Sequence, residues 1–132
     1  VVLLYLFNIG ASSRVRYAFR MAIQVFGTRK CRDTQKAERW FKERDVRYQF
    51  VDLAEKGISP GELRAVRDAV GKDALLDASG PRYAKRGLSW MEHDPEEEAL
   101  ADPLLLRTPI VRDGRRAVIG FDPEGWRTLA GL

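Results

Sequence analysis

Residues 22–51 show a strand-helix-strand pattern of apolar and polar positions. Residues 22–26 form a short, mostly apolar run that predicts a buried strand ending at Gly27. Residues 31–45 carry apolar side chains at helical i, i+3 and i+4 spacing, and this stripe consists of Ala37, Trp40 and Phe41. Residues 46–51 alternate apolar and polar side chains, which predicts a second strand. The whole segment therefore predicts a right-handed parallel β-α-β unit.

The middle of the chain is predicted to be helical. Residues 59–62 form a capping box, with an N-cap serine, a proline at the first helical position and a glutamate three residues after the serine. The helix that begins there is expected to end at Gly71. Residues 72–78 predict a further short helix, residues 79–89 a basic loop or loose turn, and Asp94-Pro95 the start of another helix.

The last part of the chain predicts a hairpin followed by a helix. Residues 108–111 and 117–121 are short apolar runs, and Asp113-Gly114 between them is a hairpin signal. Asp122-Pro123 then caps a final helix. The complete order is β-α-β, helices, β-β-α. It predicts an α/β protein that resembles the thioredoxin-like fold, with a helical insertion and a four-stranded mixed sheet.

Residues 1–20 differ from the rest of the chain. An apolar run over residues 1–7 precedes three arginines, whereas a signal peptide carries its positive charge before the apolar run. The run is also shorter than the ~20 residues needed to span a bilayer. We therefore expect residues 1–20 to be a non-native or disordered extension, with a weak membrane anchor of reversed polarity as the alternative. Residues 21–132 are expected to form one domain.

The composition narrows the class of protein. The chain has 132 residues, of which 45% are hydrophobic and 32% charged, and these values exclude a disordered tail and a multi-span membrane protein. Its single cysteine excludes a disulfide framework and a cysteine-rich zinc site. No metal site is predicted.

Most of the net charge of +4 lies in the predicted extension. Residues 1–20 contain three arginines and no acidic residue, so the remainder has 20 basic and 19 acidic residues. Its two basic clusters are short and lack interleaved aromatic residues apart from Tyr83, which favours solvated surface over a nucleic-acid site. They are Arg82, Lys85 and Arg86, and Arg112, Arg115 and Arg116. We expect a cytoplasmic protein with neither nucleic acid nor a membrane as a partner.

Cys31 is the strongest candidate for chemical reactivity. It follows a predicted strand and a short loop and lies at the predicted start of a helix, where unpaired N–H groups favour an anion. Arg29, Lys30 and Arg32 flank it in sequence. Both effects favour the nucleophilic thiolate over the thiol. The alternative is that Cys31 is a small buried apolar residue.

Other candidate residues accompany the cysteine. Thr34 stands three residues after it, where its hydroxyl can donate to the sulfur or simply cap the helix. Thr108-Pro109 precedes a predicted central strand and is a candidate cis peptide. Arg107 can bind an anion beside Cys31, or it is an ordinary surface arginine. Because no second cysteine is present, a redox cycle must end with an outside thiol such as glutathione or a partner protein.

Four stretches resemble the arsenate reductase (ArsC)/Spx family of thioredoxin-like proteins. They are residues 25–31, 36–40, 106–111 and 119–126, which read VFGTRKC, KAERW, LRTPIV and IGFDPEGW. The resemblance implies a thioredoxin-like fold, with Cys31 as the nucleophile, Arg107 as an oxyanion-binding arginine and Pro109 as the cis-proline.

The chain also departs from the family pattern. Arsenate reductases coupled to glutathione and glutaredoxin carry a histidine four residues before the cysteine, where this chain has Gly27. A further family arginine is present only in shifted register, as Arg82, and the C-terminal arginine position falls near the apolar Ile119. Spx regulators carry a C-x-x-C switch, and Thr34 replaces its second cysteine. The chain is most similar to an uncharacterised single-cysteine branch.

Two functions are expected from these features. The first is an arsenate-reductase-like thiol oxidoreductase that uses Cys31 and Arg107 in catalysis and binds its thiol or oxyanion substrate with further residues. Those residues are Thr34, Thr108, Pro109 and Arg82. Glutathione is the expected co-substrate, with glutaredoxin as a further partner and no bound cofactor. The second is an Spx-like regulatory binding protein without turnover.

Overall fold

The computed structural model describes residues 23–132, so the predicted extension over residues 1–20 and the first two residues of the predicted domain lie outside it. Four strands and five α-helices follow in chain order. They are β1 (Gln24–Gly27), α1 (Arg32–Glu43), β2 (Gln49–Asp52), α2 (Pro60–Val70), α3 (Pro81–Lys85), α4 (Pro95–Ala101), β3 (Ile110–Asp113), β4 (Arg116–Ile119) and α5 (Pro123–Ala130). None of these helices is long and apolar enough to cross a membrane.

The four strands form one mixed sheet, as predicted. Their spatial order is β2-β1-β3-β4. Strand β1 runs parallel to β2 and antiparallel to β3, and β3 and β4 form the antiparallel hairpin. Phe26 lies opposite Ile110 in the β1–β3 register. The C-terminal end of β1 and the N-terminal end of β3 therefore lie side by side at the same end of the sheet.

Each face of the sheet is covered by its own helices because neighbouring strand residues point to opposite faces. Val25 packs on the side of α1 and α5, in a core that contains Phe41 and Trp126. Phe26 packs on the side of α2 and α4, in a core that contains Leu63. All five side chains are almost completely buried, and burying residues of this size contributes about 1.5–3 kcal/mol each.

The helical insertion confirms some sequence predictions and corrects others. The capping box of α2 is present, since Ser59 accepts from the Glu62 N–H and the Glu62 side chain accepts from the Ser59 N–H. The predicted helix over residues 72–78 is wrong beyond the 3-10 turn Lys72–Ala74. The chain leaves helical geometry there because Leu76 forms a β-bridge with Leu106.

The prediction of a loop over residues 79–89 is also partly wrong. This segment contains helix α3, which begins at Pro81 directly after Gly80. Proline suits the first position of a helix because its φ is already helical and its missing N–H is not needed there. The basic character of the segment reflects the exposed side of a helix.

Two strands begin later than predicted. Strand β2 starts at Gln49, and the apolar residues Val46 and Tyr48 before it pack against the α1 side without forming a ladder. Strand β3 starts at Ile110, because Pro109 has no N–H to donate. The hairpin turn falls at Gly114, whose φ of +63° favours glycine.

Gly27 is required where β1 meets the first turn of α1. A Cβ added to it would lie 2.6 Å from Thr34 Cγ2 and closer still to Thr34 Oγ1. Thr34 is itself fully buried and has no free space to move into. The absence of a side chain at position 27 is therefore what allows the threonine to occupy its place.

We expect Gly27→Ala to destabilise the protein by about 1–3 kcal/mol, because the added methyl group overlaps Thr34 and forces a shift in a packed core. Gly61→Ala is the matched control, since nothing lies within 4 Å of a Cβ at that exposed helical position. The control is expected to be neutral or stabilising by up to about 1 kcal/mol. Urea unfolding measures both, and equal stabilities of the two variants would contradict the steric argument.

Candidate active site

Cys31 is placed by the short turn that joins β1 to α1. Its N–H donates to the Thr28 carbonyl at 3.2 Å, and its backbone has the extended conformation of a helix N-cap, with φ −76° and ψ 120°. The side chain is half-buried. The sulfur therefore lies at the open N-terminal end of the twelve-residue helix α1, where backbone N–H groups favour negative charge.

Thr108 contacts the sulfur directly. Its hydroxyl donates to Cys31 Sγ at 3.0 Å, although 77 positions separate the two residues in the chain. The Thr108-Pro109 bond is cis, as predicted, and the Pro109 carbonyl accepts from the Gly120 N–H at 2.8 Å. This last bond ties the segment to the end of β4.

Thr34 supplies a second hydroxyl beside the cysteine. Its side chain is completely buried, and Oγ1 makes no hydrogen bond of good geometry with any residue in the 23–132 region. Buried hydroxyl groups are normally paired, because leaving one unpaired costs about 1–3 kcal/mol. The hydroxyl is thus free to turn toward the sulfur when the sulfur carries a negative charge.

These contacts lower the pKa of the Cys31 thiol. Burial is the largest effect and raises the pKa, but the hydrogen bond from the Thr108 hydroxyl, together with the nearby Thr34 hydroxyl and the Thr34 and Asp33 amides, outweighs it. The Cys31 side chain makes no cap hydrogen bond with the amides of the first helical turn. The 3.0 Å hydrogen bond from Thr108 is therefore the best-defined contact that lowers the pKa. The net effect favours the thiolate, which is the nucleophilic form.

The flanking cations act less directly than their sequence positions suggested. The Arg29 guanidinium stacks over the Phe50 ring, 5.1 Å from its centroid, and lies 3.9 Å from the Asp52 carboxylate. Lys30 and Arg32 are exposed. None of the three is among the causes of the lowered pKa of Cys31. Local hydroxyl and amide groups account for the shift.

Arg107 precedes Thr108 but does not contact the sulfur. Its N–H donates to the Leu75 carbonyl at 2.8 Å, and its side chain passes over Gly120, where an added Cβ would lie 3.6 Å from Arg107 Cδ. The side chain is exposed and forms no ion pair within the part of the chain that the structure describes. It remains available to an incoming anion.

A cavity of about 640 Å³ lies next to the turn that precedes Cys31. Its lining combines apolar residues with groups of both charge signs. The lining is formed by Thr28, Arg29, Lys30, Asp52, Ala54, Glu55, Asp77, Gly80, Pro81, Arg82, Tyr83, Leu104 and Leu105. Arg82 belongs to this lining, and its Nε donates to Asp102 at 2.7 Å. The structure thus brings Thr34, Thr108 and Pro109 to Cys31, whereas Arg82 lines the cavity and is bound to Asp102.

The arrangement can perform nucleophilic chemistry on an electrophile that reaches the half-buried sulfur. No group of three or more metal-binding side chains occurs within residues 23–132. The sequence singled out Thr108 only as a substrate-binding candidate and did not indicate its bond to Cys31. No local pattern could have indicated it, since only the antiparallel pairing of β1 with β3 brings the two residues together.

Comparison with known proteins places this site in a family. The ArsC family model matches residues 26–129. The chain is 30% identical over 111 residues to the uncharacterized protein YusI of Bacillus subtilis. This alignment covers 79% of this chain and 94% of YusI. It is 23% identical over 113 residues to the global transcriptional regulator Spx 2 of Oceanobacillus iheyensis, covering 81% of this chain and 82% of Spx 2.

The solved structure of the arsenate reductase from Vibrio cholerae has the same fold. It superposes with a TM-score of 0.70 over 83% of this chain and 98% of that protein, at 20% sequence identity. The match of the family model extends from β1 to α5 and includes both Cys31 and the Thr108-Pro109 segment. The chain therefore belongs to the ArsC family.

Proposed function

We propose that this chain is a monothiol oxidoreductase that uses the Cys31 thiolate as its nucleophile. The observation that carries the proposal is the hydrogen bond from the Thr108 hydroxyl to Cys31 Sγ at the N-terminus of α1. A structural cysteine needs no donor aimed at its sulfur, whereas a thiolate is stabilised by one. The substrate is a disulfide or an oxyanion such as arsenate.

The first step is thiolate attack on a disulfide sulfur. The Cys31 sulfur forms a new bond to that sulfur, and the other half of the disulfide leaves as a thiolate. A glutathione thiolate then attacks the mixed disulfide, which releases the Cys31 thiolate and a second disulfide. The two electrons come from glutathione, and no second cysteine of the chain is required.

The cavity beside the active-site turn supports glutathione as the reductant. Glutathione is a tripeptide that carries both an amine and carboxylates, and the cavity presents Lys30 and Glu55 without ion-pair partners among residues 23–132. Its volume of about 640 Å³ lies within the range of small-molecule sites. Glutaredoxin is the alternative reductant.

A cycle that is completed by an outside thiol requires a reducing compartment. We therefore propose that the protein is cytoplasmic.

The remaining site residues receive roles consistent with their positions. Arg107, exposed and without an ion pair in the described region, binds the anionic group of the substrate. Thr108 and Thr34 donate hydrogen bonds to the Cys31 thiolate and to the substrate atom that it attacks. Pro109 forms the surface of the site next to Thr108. Arg82 is bound to Asp102 and can reach only a ligand that fills the cavity.

An Spx-like regulatory role is the second candidate. It is favoured by the similarity to Spx 2, which extends over 81% of this chain. In that case the fold serves as a binding module without turnover. A complex with a protein partner that forms equally well with Cys31→Ser would favour this role over catalysis.

We expect Cys31→Ser to abolish turnover in an assay coupled to glutathione oxidation, because a serine hydroxyl is not ionised at neutral pH. Arsenate, a glutathione mixed disulfide and a peptide disulfide are offered in parallel as substrates. Unfolding in urea checks that the variant retains the native fold. Turnover by the folded serine variant at the wild-type rate would refute the proposed mechanism.

We expect Thr108→Val to raise the pKa of Cys31, because valine has the shape of threonine but cannot donate to the sulfur. The pH profile of iodoacetamide alkylation should therefore move to higher pH, and alkylation at a fixed pH below the pKa should slow. Thr128→Val is the matched control, since its hydroxyl bonds to the Glu124 carbonyl within α5. An unchanged profile for Thr108→Val would contradict the assigned role of this hydroxyl.

A further inference from the structure

The active-site sulfur is surrounded by an exposed basic face with an aromatic residue on its rim. This docking face, as we name it, has six charged residues and one phenylalanine. They are Lys30, Arg32, Asp33, Lys36, Arg107, Phe121 and Asp122. Four cations and two carboxylates give it a net charge of +2.

Contacts in the structure join these residues into one surface. Lys36 Nζ lies 5.3 Å from the centroid of the Phe121 ring, and Arg107 passes over Gly120, the residue before Phe121. Gly120 is bonded to Pro109, which follows the threonine that contacts the sulfur. Lys30 and Arg32 are the direct chain neighbours of Cys31, and both are exposed.

The two carboxylates of the docking face are already engaged, whereas most of its cations are not. Asp33 lies 4.0 Å from Lys36, and Asp122 accepts from the Gly125 N–H as the N-cap of α5. Lys30, Arg32 and Arg107 form no ion pair within residues 23–132. The positive potential of the face is therefore available to a partner.

The docking face holds more positive charge than the rest of the molecule. Residues 23–132 contain 20 basic and 19 acidic residues, so the net of +2 on this face leaves the remaining described surface slightly negative. Phe121 is 53% exposed. Exposed aromatic residues within a charged rim are typical of protein interfaces, and a four-oxygen anion would need neither the aromatic contact nor cations on separate chain segments.

We propose that the substrate of Cys31 is a mixed disulfide between glutathione and an acidic polypeptide, which binds the docking face through its carboxylates and packs against Phe121. This inference rests on the proposed thiol chemistry and specifies its substrate. The Cys31 thiolate attacks the glutathione sulfur, and the polypeptide thiolate leaves. A second glutathione thiolate then releases the Cys31 thiolate and forms oxidised glutathione, so the polypeptide is reduced by two electrons taken from glutathione.

The test compares three peptides that carry the same S-glutathionylated cysteine, flanked by glutamate, glutamine or lysine. The value of kcat/KM should decrease in that order, with a span of about tenfold at low ionic strength that shrinks as salt is added. Bis(2-hydroxyethyl) disulfide serves as a small neutral substrate. Equal kcat/KM for the three peptides would overturn the proposed docking while leaving the thiol chemistry intact.

Variants of the docking face separate charge from packing. The double variant Arg32→Gln/Lys36→Gln should lose the preference for the acidic peptide to within about twofold and still reduce the small disulfide. Arg64→Gln, on the opposite side of the sheet, is its control. Phe121→Ala should raise KM for all three peptides but not for the small disulfide, and Trp90→Ala is its control because Trp90 is also exposed. Retention of the peptide preference by the double variant would contradict the proposal.

A binding measurement on a variant that cannot react distinguishes a failure of docking from a failure of catalysis. The Cys31→Ser protein is titrated with the acidic peptide carrying serine in place of the modified cysteine. Salt-sensitive binding supports the docking face even if no substrate is turned over, and absence of binding overturns it. A DNA oligonucleotide of equal net charge is the competitor, and equal affinity for it would show a general polyanion surface and overturn the assignment to a polypeptide.

Discussion

The hydrogen bond between Thr108 and Cys31 depends on the pairing of β1 with β3. Phe26 lies opposite Ile110 in that antiparallel register, so the residues after β1 and the residues before β3 emerge at the same edge of the sheet. A shift of one residue in the register would move the Thr108 hydroxyl to the other face. The lowered pKa of the thiol is thus a property of the sheet as much as of the helix N-terminus.

Close packing between Gly27 and Thr34 has a second effect on the same site. The resemblance to arsenate reductases directs attention to Gly27 as the place of a missing histidine, but the threonine occupies the space that any side chain there would need. The residues at positions 27 and 34 are therefore coupled by packing. The Thr34 hydroxyl is buried in this position and has no hydrogen-bond partner among residues 23–132.

Two sets of polar groups act on the site at different distances: the groups next to the sulfur and the exposed cations around it. The Thr108 hydrogen bond and the hydroxyl and amide groups nearest the sulfur lower the pKa of Cys31. The exposed cations are not among the causes of that shift. Their combined field attracts an approaching anion at separations up to about the Debye length. The same arginines and lysines that sequence reasoning assigned to the thiolate are thus better placed to select and orient what approaches it.

The sequence by itself determined the order of elements, the mixed sheet, the capping box at residues 59–62 and the identity of the candidate nucleophile. These features depend on local periodicity, on turn residues and on a single cysteine. It did not indicate helix α3, the bridge between Leu76 and Leu106, or the late starts of β2 and β3. Only the tertiary structure decided which threonine bonds to the sulfur, that Arg107 lies over Gly120, and that Arg82 is bound to Asp102. The physical reason is that these contacts join residues far apart in the chain, whose distances are set by strand register and core packing.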